Sequence, residues 1–195
     1  MKTHLITSQV SQTSPGPGVT VIGVLMALWC MAFAVVNIVF EVTDYFAGGP
    51  LADYTAGITV MNWLVVSFKA LGAVVALLSV ANIPKLHLPA LMTVLLWGAF
   101  ATLGLYALGS VTQALGMISG FAGTADQINL KGVGYVFMFL LAAVGYGFLA
   151  VSYSRRHGTR RGYAVLGVVG APVVLGLIFI VVPMLLFTLG LLPAY

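Results

Sequence analysis

Apolar side chains run along this chain in long blocks, without the period-two alternation of half-buried strands. The first block, Gly18 to Phe40, is 23 residues long and carries no charge. A hydrocarbon core about 30 Å thick needs about 20 apolar residues at a rise of 1.5 Å each. The block therefore predicts a transmembrane helix over 18–40. A second follows over 57–82, interrupted only by Lys69. The third begins at Pro89, and no charge appears again until Asp126. Gly116, Gly120 and Gly123 place its end near residue 116, because glycine disfavours continued helix where the chain meets water. The fourth helix is expected over 132–153 and the fifth over 163–192. Pro172 and Pro183 lie inside the fifth, and each removes a backbone donor. Splitting that segment at its prolines would give six helices; five is the count adopted here.

Composition supports the same reading. Of 195 residues, 61% are hydrophobic and 6% charged, against about 25% charged in an average soluble domain. Eight basic and four acidic side chains cannot clothe a water-soluble surface. Soluble enzymes, nucleic-acid binders and disordered tails are excluded on that ground. The fold class expected is an all-α integral membrane protein, a bundle of five transmembrane helices in a single domain over 18–195. Residues 1–17, rich in Ser, Thr, Gln, Pro and Gly, are expected to form a flexible cytoplasmic tail. The triplet Ala32-Phe33-Ala34 has the look of a signal-peptidase site, but the apolar run continues past it, and cleavage is not expected.

Charge placement predicts direction. With the N-terminus cytoplasmic, the cytoplasmic segments hold Lys2, Lys85, Arg155, Arg156, Arg160 and Arg161 and no acid. The other side holds Glu41, Asp44, Asp53 and Asp126, with Lys131 the lone base. Basic residues retained in short cytoplasmic loops are the expected pattern, so the C-terminus is placed outside. The membrane expected is a cell membrane, in particular the bacterial plasma membrane.

Lys69 is the strongest candidate for chemistry. It falls twelve residues from Gly57 and thirteen from Asn82, too deep for a stem of about 6 Å to bring its ammonium to the headgroups. It requires a buried partner, a water-filled cavity or loss of its proton. Inserting a central lysine costs about 3 kcal/mol, which makes such a residue a functional candidate by default. On the first helix Asn37, Glu41 and Asp44 recur at i, i+4 and i+7, which is one helical face. Asn62 and Lys69 share a face of the second helix. Together they predict a polar funnel from Asp44 and Glu41 past Asn37 and Asn62 to Lys69, with Tyr106 and Gln113 of the third helix completing it. Helix packing is expected through small residues, Gly98 with Thr102 and Gly167 with Ala171 among them. Trp63 is read as an interfacial anchor, and Trp29 and Trp97 as bundle packing. The loop with Asp44-Tyr45, Gly48-Gly49-Pro50 and Asp53-Tyr54 is a candidate for cation recognition, though tyrosines there also suit the membrane interface.

Absences narrow the function. The three histidines, His4, His87 and His157, fall in tails or loops, so no haem pair is expected. Cys30 is the only cysteine, and HExxH, GxSxG and P-loop motifs are missing. No cofactor and no metal site are expected, and an enzyme is disfavoured. The first expectation is a transport or channel-type protein for a small polar or cationic solute. The alternative is a non-catalytic accessory or scaffold subunit, and the third is an intramembrane enzyme acting on a lipid or isoprenoid through Glu41, Asp44 or Lys69. The partners expected are the lipid bilayer and either a second copy of the chain or a larger membrane complex, with no nucleic acid.

Overall fold

A computed structural model describes residues 14–48, 52–81, 88–121 and 123–190. Most of the N-terminal tail, with Lys2 and His4, lies outside the described residues, as do Gly49 and Pro50, the end of the second predicted span at Asn82, the loop bases Lys85 and His87, and the last predicted helical residues 191–192. The side chain of Asp53 is likewise outside them.

The described chain is all-helical, with five helices long and apolar enough to cross a membrane. They are α1 (Pro17–Val42), α2 (Thr55–Val80), α3 (Pro89–Ile118), α4 (Leu130–Arg156) and α5 (Arg161–Thr188). Pro17 and Pro89 occupy the first helical turns of α1 and α3, where the missing amide hydrogen costs nothing. The Asn129 side chain caps α4 by accepting from the Gly132 amide at 2.7 Å. Pro172 and Pro183 both lie inside the single helix α5, so the last segment is not divided. The glycines near residue 116 act a little later than expected. Gly120, at φ 73°, follows the last turn of α3, and the amides of Gly120 and Phe121 close back onto the carbonyls of Met117 and Gly116. That pair of bonds is the Schellman cap, which requires a left-handed residue. Gly158 ends α4 in the same way, at φ 57°.

The most extensive packing joins α1 to α2, and α3 to both α4 and α5; the contacts between these two groups are sparser. The small residues expected to pack do so against one another. A Cβ on Gly98 would lie 3.1 Å from the Ala171 Cβ, and one on Gly167 would lie 2.5 Å from the Val94 carbonyl oxygen and 3.1 Å from the Gly98 amide. In α3 and α5 backbone thus meets nearly bare backbone.

Burial is uneven along the bundle axis. Ala27, Cys30, Ala73, Ala76, Met92, Leu96, Ala142, Ala143, Tyr146, Leu149, Ala150 and Tyr153 form one cluster. These lie at mid-helix or towards the end that carries Arg155 and Arg156. At the end that carries Glu41, every residue of α4 before Phe139 is exposed or half-buried. The main buried positions there are Ala34 on α1, Gly57 and Asn62 on α2, Ala107 on α3 and Leu186 on α5.

Candidate functional site

Lys69 lies fourteen residues after the start of α2 and eleven before its end. Its ammonium is enclosed by aromatic faces. The Nζ atom is 4.1 Å from the centroid of the Trp29 ring, 4.7 Å from Phe139 and 5.4 Å from Phe33. Trp29 and Phe33 are one helical turn apart on α1, so both present to the same face. Phe139 reaches the site from α4. The rings also hold one another: Trp29 and Phe139 meet edge to face at 5.3 Å, and Phe33 and Phe139 at 5.5 Å. Edge-to-face pairs set the positive ring edge against the negative ring face, which fixes the collar independently of the cation.

The partner of the half-buried Lys69 head is therefore a set of π faces. No carboxylate among the described residues comes within ion-pairing distance of it. Each face contributes about 0.5–2 kcal/mol as it is more or less desolvated. A ring quadrupole attracts the ammonium without neutralising it, so the site retains a net positive charge in a medium of low dielectric.

The other expected polar residues fall into two groups. Asn37, Glu41 and Asn62 come together one to two turns from the collar. The Asn62 amide donates to the Glu41 Oε1 at 2.7 Å and to the Asn37 carbonyl at 2.8 Å. The Asn37 amide in turn donates to the Phe33 carbonyl at 2.7 Å, and Phe33 is a wall of the collar. Asn62 and Lys69 are seven residues apart, which separates them by about 10 Å along the axis. Polar bonds thus join α1 and α2 from Glu41 to the main-chain carbonyl of Phe33, and there they end, short of the ring that faces Lys69.

Tyr106 joins through the aromatic system, its ring 4.4 Å from that of Phe139. Asp44 and Gln113 are not drawn in; both are exposed. Asp44 has its own structural occupation. At φ 47° it is the left-handed residue after α1, and the amides of Asp44 and Tyr45 bond back to the carbonyls of Glu41 and Phe40. It fills the place that Gly120 fills after α3.

Trp29, Phe33 and Phe139 were not among the residues singled out as a site from sequence. Trp29 and Phe33 at i and i+4 are the one local signal that could have marked them. Nothing near Phe139 in the chain shows that α4 brings it to α1. Trp97 does serve packing, with its Nε1 donating to Ser154 Oγ at 3.2 Å and its ring edge to face with Phe100.

On the other side of Lys69 opens a cavity of ≈ 490 Å³ between α2, α3 and α5. Lys69 and Trp29 belong both to the collar and to its wall. Its floor carries the buried pair Cys30 Sγ and Tyr146 OH, 3.1 Å apart. Glu41 and Asp44 do not line it, so the acids and the lysine do not converge there as an intramembrane acid–base centre would need. At the opposite end from Glu41, the Arg156 Nη2 donates to the Ser79 carbonyl at 2.8 Å, tying α4 to the end of α2.

Comparison of the chain with protein-family models, with curated proteins and with solved structures finds no match. Five apolar helices are consistent with a multi-pass membrane protein, and the geometry above is the basis for anything finer.

Proposed function

We propose that this is a transport or channel-type protein of a cell membrane, passing a small polar or cationic solute along the α1–α2 seam. The end carrying Glu41 faces outward and is the open mouth of the path. The Asn37–Glu41–Asn62 cluster receives the solute, and the collar around Lys69 is the closed gate below it. Beyond the gate α1 meets α2 through Gly23 and buried alanines, so the seam itself is closed unless the helix packing changes. Lys69 is the charge selector: its ammonium, with no carboxylate partner among the described residues, sets the barrier at the gate by the charge of the solute. The observation that carries this reading is the group of polar bonds that links Glu41 Oε1, Asn62, Asn37 and the Phe33 carbonyl, in the same stretch of α1 whose Phe33 ring faces Lys69.

The test is solute flux in proteoliposomes. Lys69→Met and Lys69→Arg should each change flux by about tenfold, the effect of about 1.4 kcal/mol on a barrier. Lys69→Met should fold as stably as the parent, because methionine fills the same collar through sulfur–aromatic contacts. Parent-like flux in both variants would refute the proposal.

One observation favours a second reading, an accessory subunit. Helix α5 packs chiefly against α3 and leaves nearly all its remaining surface uncovered. A stoichiometric unlike partner in mild-detergent purification, lost when α5 is altered, would support that reading over an autonomous transporter.

A further inference from the structure

The cavity between α2, α3 and α5 is unlike the polar seam. Its walls are Phe68, Leu71 and Val75 of α2, Leu95 and Leu103 of α3 and Val174 of α5, with others of the same kind. Among the residues lining it, Lys69 carries the only charge. At ≈ 490 Å³ it has the size of a ligand site rather than of a packing defect. Its lining residues Phe68 and Leu71 of α2 and Leu166 and Val174 of α5 are exposed where these two helices make no extensive contact, a side that in a membrane meets the lipid phase.

Two facts narrow what would enter. The first is the wall: an apolar surface opening to lipid admits a hydrocarbon chain and gives a hydrated ion nothing to bind. The second is the charge. The Lys69 ammonium has aromatic faces on one side and no acid among the described residues beside it, so a monoanion there would cancel a charge that the collar only attracts. One lysine without an arginine or a second base balances a carboxylate; a phosphate monoester carries more charge, and a phosphodiester, though also a monoanion, brings more acceptor oxygens than this site can satisfy. The lysine stem starts from the shared wall, so its head can turn from the Trp29 face into the cavity without moving α2.

We propose that this cavity binds a long-chain carboxylate drawn sideways from the membrane, with the headgroup on Lys69 and the chain lying between α2 and α5 towards the end bearing Arg156. This site goes beyond the solute path and does not require that the path conduct.

The probe is 9,10-dibromostearate, whose bromines quench tryptophan at short range, added to the full chain in phosphatidylcholine vesicles. Trp29 is the tryptophan in the cavity wall, so Trp63→Phe with Trp97→Phe leaves it as the reporter. Quenching should saturate and be relieved by unbrominated stearate. The methyl ester should bind about tenfold more weakly, the ratio that about 1.4 kcal/mol of ion pairing gives. Lys69→Met should abolish that ratio. Gly170→Leu should abolish saturable quenching by acid and ester alike; a Cβ there meets nothing nearer than Leu166 Cδ1 at 3.9 Å, so the larger side chain enters the cavity without a clash. Unsaturable quenching, equal affinity of acid and ester, an unchanged ratio in Lys69→Met, or parent-like saturation in Gly170→Leu would each overturn the proposal. Solute flux on the same vesicles separates the two readings. Lost quenching with Lys69-dependent flux removes only the lipid site, and saturable quenching with flux indifferent to Lys69 removes only the solute path.

Discussion

Towards the end that carries Arg155 and Arg156, several glycines deep inside helices act as points of contact, while Gly18 and Gly162 in the first turns of α1 and α5 have nothing within 4 Å. A Cβ on Gly23 would meet the Val80 side chain at 2.6 Å, one on Gly147 the Phe100 ring at 3.0 Å, and one on Gly145 the Met26 sulfur. Towards the end that carries Glu41, Gly104, Gly109, Gly134 and Gly176 have nothing within 4 Å. The same residue type is spent differently in the two halves. In one it lets backbones approach; in the other it leaves surface uncovered. Membrane helices are not driven together by the hydrophobic effect, so close approach is what holds them. In the half with less of it, the polar bonds of Asn62 add to the packing of α1 on α2. The aromatic collar around Lys69 marks the boundary.

This contrast can be broken most directly at Gly167. Gly167→Leu forces a side chain into the Val94 carbonyl and the Trp97 Cβ, 2.5 and 2.8 Å from an ideal Cβ. It should destabilise the protein by about 3 kcal/mol, the upper end for overpacking. Gly104→Leu, with open space around it, should change stability by less than about 0.5 kcal/mol. Denaturant unfolding in detergent micelles measures both. Similar losses in the two variants would show that the halves are packed alike.

A smaller effect sharpens the account of the looser half. Asn62→Ala removes both donors that join α2 to α1 and should cost about 1 kcal/mol, typical of an interhelical bond in a membrane. The same measurement on Ser154→Ala, which removes the Trp97 acceptor in the denser half, should give about 0.6 kcal/mol or less, because packing there persists without the bond. A larger loss at Ser154 than at Asn62 would invert the comparison.

The smallest effect has the opposite sign. Asp44 holds a left-handed conformation that costs a non-glycine residue about 1 kcal/mol. Asp44→Gly should stabilise the end of α1 by about 0.5–1 kcal/mol in the same unfolding assay. If the carboxylate gathers solute as well, flux falls while stability rises, and the two measurements separate its roles.

Much of the architecture was legible because hydrocarbon imposes a length on every span. Blocks of apolar residues mark five helices whatever their neighbours do, and the single lysine within them stands out because a charge there must be answered. Periodicity also placed Asn37 with Glu41, and Asn62 with Lys69, on common faces, since 3.6 residues per turn is a property of each helix alone. It could not tell that Asn62 would bond Glu41 and the Asn37 carbonyl while Asp44 turned away to close its own helix. Nor could it tell that the answer to Lys69 would be Trp29, Phe33 and Phe139 in place of a carboxylate. Those outcomes depend on the rotation of one helix against another, which is set by where glycine and alanine permit contact across α1, α2 and α4. The cavity beside Lys69 has the same origin: α5 follows the bare backbone of α3 at Gly98 and Gly167 and so stands away from α2. No single segment of the chain carries that information, because it arises only when the helices are packed together.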